Sequence, residues 1–143
     1  MTDTPTATTT IERTVHIAAR PELVWSFWTD PARIVEWWGR PTEIEVHPGG
    51  AIRVELDNGN TAVGTFTELE PPRRLVFTFG WEEFAPGEPL APGTTSVEVT
   101  MSPDGDGTLL VLRHFDMPVT HAADHERGWA HYLDERLVPA LLG

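Results

Sequence analysis

Residues 109–138 read LLVLRHFDMPVTHAADHERGWAHYLDERLV and change from the periodicity of a strand to that of a helix. Up to Pro118, apolar and polar side chains alternate, which is typical of a half-buried β-strand. From Thr120, the predicted N-cap, to about Val138, apolar residues recur every three or four positions, which predicts a long helix closed by Pro139. Such a helix needs a surface for its apolar stripe, which consists of Ala122, His125, Trp129, Leu133 and Leu137.

The preceding part of the chain supplies that surface, because most of it consists of short segments with a period of two. A first strand is predicted over 11–17, followed by two short helices that end near Pro31 and Pro41. About six further strands alternate with turns, among them the hairpin signal Asn58-Gly59. This order predicts an α+β fold, with a curved antiparallel sheet of about seven strands around the C-terminal helix.

Composition excludes several classes of function. The 22 acidic residues outnumber the 10 basic ones, and the formal net charge of −12 makes nucleic acid an unexpected partner. All ten basic residues are Arg, and the absence of Lys excludes Schiff-base chemistry and a P-loop. The absence of Cys excludes disulfides, thiol nucleophiles and Cys-ligated zinc.

The N-terminal residues 1–10 are rich in Thr and have no apolar stretch, so they resemble neither a signal peptide nor an anchor. They are expected to form a disordered leader, followed by a single domain over 11–143. No run of 18 apolar residues occurs, so a membrane span is not expected. These features together predict a cytoplasmic protein.

An ordered set of short motifs resembles a known family. Residues 24–31, VWSFWTDP, followed by Trp37-Trp38-Gly39, are similar to the opening motif of the activator of heat-shock-protein-90 ATPase homologue-like family. That family belongs to the START and birch-pollen-allergen superfamily, also called SRPBCC. The resemblance runs from about Ile11 to Leu137 and continues through Pro48-Gly49-Gly50, Gly64, 71–77, Gly107-Thr108, His114, Gly128-Trp129 and Leu133.

The resemblance implies a helix-grip fold with a hydrophobic ligand cavity, and no cofactor is expected. A curled sheet has more concave surface than one helix can fill, so the cavity is expected between them. The side chains predicted to line it are Trp38, Ile52, Val54, Phe66, Phe77, Phe79, Trp81, Leu112, His114, Trp129 and Leu133. Six Trp and six Phe are also enough to fill this space themselves, and a solid core remains the alternative.

Polar candidates for the cavity are few, and no catalytic residue is assigned. His114 shares the face of Leu110 and Leu112, where it could orient a ligand or act as a general base. The alternative is a histidine that is hydrogen-bonded near the rim of the sheet. The other candidates for the cavity rim are Glu83, Asp116 and Tyr132, and the Pro-rich segment 83–93 is a candidate lid or binding edge.

Two further patterns are weak signals for metal. His121 and His125 lie four residues apart on the predicted helix, with Asp124 and His131 nearby, but they lie outside an HExxH frame. A solvated helix start is therefore the favoured interpretation. The DGDG segment 104–107 lacks the rest of a calcium-binding loop and is interpreted as a turn, so no metal site is expected.

Three functions remain open at this stage. The favoured one is a binding protein for a lipid-like or aromatic small molecule. The second is an aromatase or cyclase acting on a polyketide-like substrate, which would need His114, Tyr132 or a rim carboxylate to converge inside the cavity. The third is a stress-related protein-interaction module, based on analogy with the family alone. A homodimer and a chaperone partner are compatible with the sequence, which supports neither.

Overall fold

The computed structural model describes residues 7–142 and contains a seven-stranded antiparallel sheet with the order β1-β7-β6-β5-β4-β3-β2. Neighbouring strands are consecutive in the chain except for the pair β1 and β7. The predicted α+β class and the seven-stranded sheet are confirmed. The strands are β1 Thr8–Ile17, β2 Arg40–Ile44, β3 Ala51–Glu55, β4 Thr61–Glu70, β5 Arg74–Trp81, β6 Thr95–Asp104 and β7 Gly107–Pro118.

Two short helices follow β1, as predicted. Helix α1, Pro21–Thr29, has Pro at its first position, where a missing N–H costs little. Helix α2, Pro31–Ile34, begins after Asp30, whose carboxylate accepts a hydrogen bond from the Ala32 backbone N–H at 3.0 Å. Both helices turn apolar side chains towards the sheet, and those of α1 are Val24, Phe27 and Trp28.

The C-terminal helix consists of three consecutive segments, α3 Val119–Ala130, a π-helical segment His131–Leu137 and α4 Val138–Leu142. Its existence is confirmed, but both predicted ends are wrong. The N-cap is Pro118 rather than Thr120, and no side chain caps the first turn. Pro139 does not end the helix, which continues through α4 to Leu142.

The centre of the sheet is covered by a solid aromatic core. Trp28 and Trp37 meet edge to face with ring centroids 4.7 Å apart, and Trp37 stacks on Trp38 at 5.6 Å. Trp28 also lies 6.4 Å from Phe77 and 6.5 Å from Trp129 of the C-terminal helix. The alternative of a core filled by aromatic side chains therefore holds for the centre of the sheet.

The other face of the sheet carries a row of alternating charges. Arg113 on β7 donates to Glu12 on β1 at 2.8 Å and to Glu98 on β6 at 3.3 Å. Arg74 on β5 donates to the same Glu98 at 2.9 Å and to Glu68 on β4 at 2.9 Å. Shared ion pairs of this kind tie five neighbouring strands together on the face opposite the core.

The start of the chain differs from the prediction. Strand β1 begins at Thr8, three residues before the predicted strand, so 8–10 belong to the sheet. Ala7 precedes the strand, and residues 1–6 of the predicted leader lie outside the described residues. Within residues 7–142, no helix combines the length and the apolar character that crossing a membrane requires.

Candidate functional site: an aromatic pocket at the C-terminal helix

A cavity of about 290 Å³ lies where the C-terminal helix faces the end of β5, the turn between β3 and β4, and the loop 82–94. We call it the aromatic pocket. Its exposed lining residues Asn58, Glu83 and Asp124 mark its mouth. Its full lining is Trp38, Leu56, Asn58, Asn60, Phe79, Trp81, Glu83, Phe84, Leu90, His121, Asp124, His125, Gly128, Trp129 and Tyr132.

Aromatic side chains from three parts of the fold form most of the wall. Phe79 and Trp81 lie two residues apart on β5, so both point to the same face of the sheet, and their rings meet edge to face at 5.1 Å. Trp129 of the C-terminal helix lies 6.2 Å from Phe79 and 6.2 Å from Trp38. Phe84 adds a ring from the loop 82–94. The pocket therefore adjoins the aromatic core, and the side chains of the core leave it unfilled.

Only some of the residues predicted to line the cavity line the aromatic pocket. Four of the predicted residues line the aromatic pocket, namely Trp38, Phe79, Trp81 and Trp129. The other seven are buried in the core and do not line it, because the aromatic cluster occupies the centre of the concave face. These seven are Ile52, Val54, Phe66, Phe77, Leu112, His114 and Leu133.

Two of the three polar candidates for the cavity rim line the aromatic pocket. Glu83 and Tyr132 line the aromatic pocket, whereas Asp116 does not. Asp116 borders a second cavity of about 250 Å³, which has no aromatic side chain in its lining. Leu90, which is 1% exposed, borders both cavities.

Part of one wall of the pocket was missed by the sequence analysis. His121, His125 and Gly128 line it from the C-terminal helix, together with the predicted rim residue Tyr132. Both histidines are half-buried, so the interpretation as a solvated helix start is wrong for them. The spacing of four, three and four residues is a helical stripe, and it could have indicated a second buried face beside Trp129.

Gly128 explains part of the shape of the cavity. A Cβ built on this helical residue would meet no atom within 4 Å, apart from its chain neighbours and the helix backbone. The residue borders the aromatic pocket, so any larger side chain here would project into open space. The absence of a side chain at position 128 therefore leaves room between the helix and the sheet.

His125 is fixed in one neutral form. Trp81 Nε1–H donates to His125 Nε2 at 3.0 Å. The other ring nitrogen, Nδ1, lies 2.9 Å from the carbonyl oxygen of His121 and therefore carries the proton that it donates. Burial lowers the pKa of His125, which favours the neutral ring. Both nitrogens are thus engaged within the wall.

His114 lies behind the wall, at the centre of a continuous chain of hydrogen bonds. Trp129 Nε1–H donates to His114 Nδ1 at 3.0 Å, so the ring proton is on Nε2, which donates to Thr95 Oγ1 at 2.7 Å. Thr95 in turn donates to the carbonyl oxygen of Phe79 at 2.7 Å. Burial and the nearby His125 lower the pKa of His114 to about 3. His114 is therefore a neutral, fully bonded core residue, as the alternative interpretation proposed, although it lies in the core rather than at the rim.

Tyr132 connects the helix to the turn between β3 and β4. Its hydroxyl donates to Asp57 Oδ1 at 3.3 Å, and Arg136 donates to Asp57 Oδ2 at 3.2 Å. Burial, together with the charge of Asp57, raises the pKa of Tyr132, so the hydroxyl keeps its proton. The Arg136 guanidinium holds the pKa of Asp57 below its usual range. These contacts close one side of the pocket.

Comparison with known proteins agrees with this architecture. Residues 18–141 match the sequence profile of the family described as Activator of Hsp90 ATPase homolog 1-like protein. Among curated proteins, no match was found. An AHSA1-like protein from Rhizobium etli is 38% identical with a TM-score of 0.73, and the alignment covers 96% of this chain and 84% of the other.

Two further solved structures have the same fold. CalU16 from Micromonospora echinospora is 30% identical with a TM-score of 0.74, over 94% of this chain and 76% of the other. The Aha1 dimer from Colwellia psychrerythraea is 19% identical with a TM-score of 0.76, over 93% of this chain and 96% of the other. The profile match spans most of the chain, and the alignments to the two more similar structures are nearly as long as the chain. The chain therefore belongs to the family of Activator of Hsp90 ATPase homolog 1-like proteins.

Proposed function

We propose that the protein binds a small, largely aromatic or apolar molecule in the aromatic pocket. The observation that carries this proposal is a cavity of about 290 Å³ walled by Trp38, Phe79, Trp81, Phe84 and Trp129. Ligand sites are commonly clefts of roughly 300–1,000 Å³ with mostly apolar walls and few polar groups. The volume lies just below that range, so the ligand should be small, about the size of two or three fused rings.

The polar contacts of the wall support a preformed site. Trp81, His125 and Tyr132 each have their ring polar groups held by neighbouring residues. A wall that is already fixed loses little conformational entropy when a ligand enters. Asn58 and Asn60, at the turn between β3 and β4, add amide groups that could orient the ligand.

The alternative of catalysis has less support. It requires a general acid or base inside the pocket, and His114 lies outside it with both ring nitrogens bonded. His125 also uses both nitrogens, and the Tyr132 hydroxyl donates to Asp57. The remaining titratable side chains of the lining are Glu83 from the predicted rim and His121 and Asp124 from the C-terminal helix. The geometry thus favours binding over acid–base chemistry.

Gly128→Leu is the variant that tests the proposal most directly. Because a side chain at this position would extend into the cavity, leucine should occupy the space of the ligand. Leucine is also a better helix former than glycine, so the variant should remain folded. Titration with the neutral fluorescent probe N-phenyl-1-naphthylamine should give saturable binding to the unmodified protein. The variant should bind at least about tenfold more weakly, a loss of about 1.4 kcal/mol.

Ala123→Leu is the matched control, since Ala123 is exposed on α3 and does not border the pocket. It adds a larger side chain to the same helix and should leave probe binding unchanged. Circular dichroism would establish that all three proteins are folded. Absence of saturable binding to the unmodified protein, or equal binding by Gly128→Leu, would refute the proposal.

A further inference from the structure

The charge at the mouth of the aromatic pocket has one sign. Among its lining residues, Glu83 and Asp124 are acidic, none is Arg, and the basic side chains are those of His121 and His125. Asp124 forms an ion pair with Arg127 on the outer side of the helix. Glu83 makes no ion pair with any residue of the described part of the chain, 7–142. The mouth therefore carries an unneutralised carboxylate.

Several hydrogen-bond donors of the wall are already used within the protein. The indole N–H groups of Trp81 and Trp129 donate to His125 and His114. The proton of His125 is directed to the carbonyl oxygen of His121, and that of the Tyr132 hydroxyl to Asp57. Four of the ring donors around the pocket are thus already used. An anionic ligand would gain no hydrogen bonds from these four groups to offset its lost hydration, which leaves Trp38, Asn58, Asn60 and His121 as the lining residues with donor groups outside this set.

The aromatic wall favours the opposite charge. Aromatic ring faces carry partial negative charge and attract ammonium groups, and tryptophan does so most strongly. Three of the aromatic side chains in the wall are tryptophans, Trp38, Trp81 and Trp129, beside Phe79, Phe84 and Tyr132. Burial keeps the nearby His125 in its neutral form, so it adds no positive charge to the wall.

We infer that the aromatic pocket selects an organic cation, an amine or quaternary ammonium compound with an aromatic or compact apolar body. The apolar body lies among the indoles, and the cationic group lies at the mouth beside Glu83. This inference rests on the proposed function, because it assigns a charge to the ligand of the same pocket.

The test compares three ligands that share one ring system. At pH 7, 1-naphthylmethylamine is a cation, 1-naphthalenemethanol is neutral and 1-naphthoate is an anion. Their dissociation constants would be measured by isothermal titration calorimetry at constant ionic strength. The amine should bind roughly three- to tenfold more tightly than the alcohol, and the carboxylate more weakly than both.

Two isosteric variants locate the source of the preference. Glu83→Gln should reduce the preference for the amine over the alcohol to less than about twofold. Glu126→Gln removes the same charge from an exposed position of α3 outside the pocket and should keep the full preference.

The outcomes separate this inference from the proposed function. Binding of the alcohol that equals or exceeds binding of the amine would overturn the charge selection and leave the binding function intact. An equal loss of preference in both variants would also overturn it, because the net charge rather than the mouth would then be responsible. If neither the three ligands nor N-phenyl-1-naphthylamine bind, the proposed function itself fails.

Discussion

His114 shows how a polar side chain can serve the core of this protein. It is completely buried, and its neutral ring accepts from Trp129 and donates to Thr95. Protonation of Nδ1 would replace an acceptor by a donor and break the bond from the indole. In the folded state this cost, together with burial and the proximity of His125, lowers the pKa of His114 to about 3.

Stability should therefore fall on acidification because of His114. In the unfolded chain, histidine takes up a proton as the pH falls below about 6.5, whereas folded His114 stays neutral until about pH 3. Within this window the unfolded state binds more protons, so acid favours unfolding by about 1.4 kcal/mol for each pH unit. Between pH 7 and pH 5, the stability advantage of the unmodified protein over His114→Asn should shrink by about 2 kcal/mol.

Urea unfolding followed by circular dichroism at several pH values would measure this difference. His47→Asn changes an exposed histidine and serves as the control, which should follow the unmodified protein at each pH. A constant difference between the unmodified protein and His114→Asn from pH 7 to pH 5 would contradict the prediction.

At the scale of the element, the C-terminal helix is held mainly by its contact with the sheet. Trp129 is 5% exposed, contacts Trp38 and Phe79, and donates to His114. Trp129→Ala should lower the free energy of unfolding by about 3–5 kcal/mol, because a large buried ring is removed. Trp129→Phe keeps most of the packing but loses the hydrogen bond to His114, so it should cost less, about 1–3 kcal/mol.

Thermal and urea unfolding of the two variants would separate packing from hydrogen bonding. An unchanged melting temperature for Trp129→Ala would mean that the helix does not depend on this contact. If instead the two variants lost the same amount, the hydrogen bond to His114 would account for the whole effect.

The helix also marks the limit of what periodicity can predict. The stripe containing Trp129 and Leu133 was found because it follows a simple repeat of three and four residues. The π-helical segment His131–Leu137 was not predicted. The N–H of Val138, which follows it, bonds to the carbonyl oxygen of Leu133 five residues earlier, and no residue type requires such a bond. The continuation past Pro139 was missed because proline was expected to end the helix.

The whole molecule has a large excess of negative charge, with a formal net charge of −12. Proteins gain affinity for nucleic acid by neutralising phosphates with basic side chains, and here eight of the ten Arg form ion pairs with acidic neighbours. We expect no salt-dependent binding to DNA or RNA. A gel shift at low ionic strength would test this, with a basic protein of similar size as the positive control. A complex that weakens as salt is added would contradict the expectation.

The fold was largely predictable, whereas the site was only partly so. Alternation in the strands and the Asn58-Gly59 turn depend on neighbouring residues, and they were read correctly from the sequence. The pocket instead depends on how far the aromatic cluster extends over the sheet, which is decided by contacts between distant segments. Phe77 and Phe79 share one strand face, yet Phe77 lies in the filled core and Phe79 lines the cavity.

Because the tryptophans are clustered, the intrinsic fluorescence of the protein should report on the pocket. Trp38 and Trp129 border the pocket and lie 6.3 Å and 6.5 Å from the buried Trp28, a distance at which excitation passes readily between rings. A quencher in the pocket would therefore dim emission from indoles that it never touches. The protein contains only one Tyr, so tyrosine contributes little to the emission. Occupancy of the pocket can therefore be followed without a label.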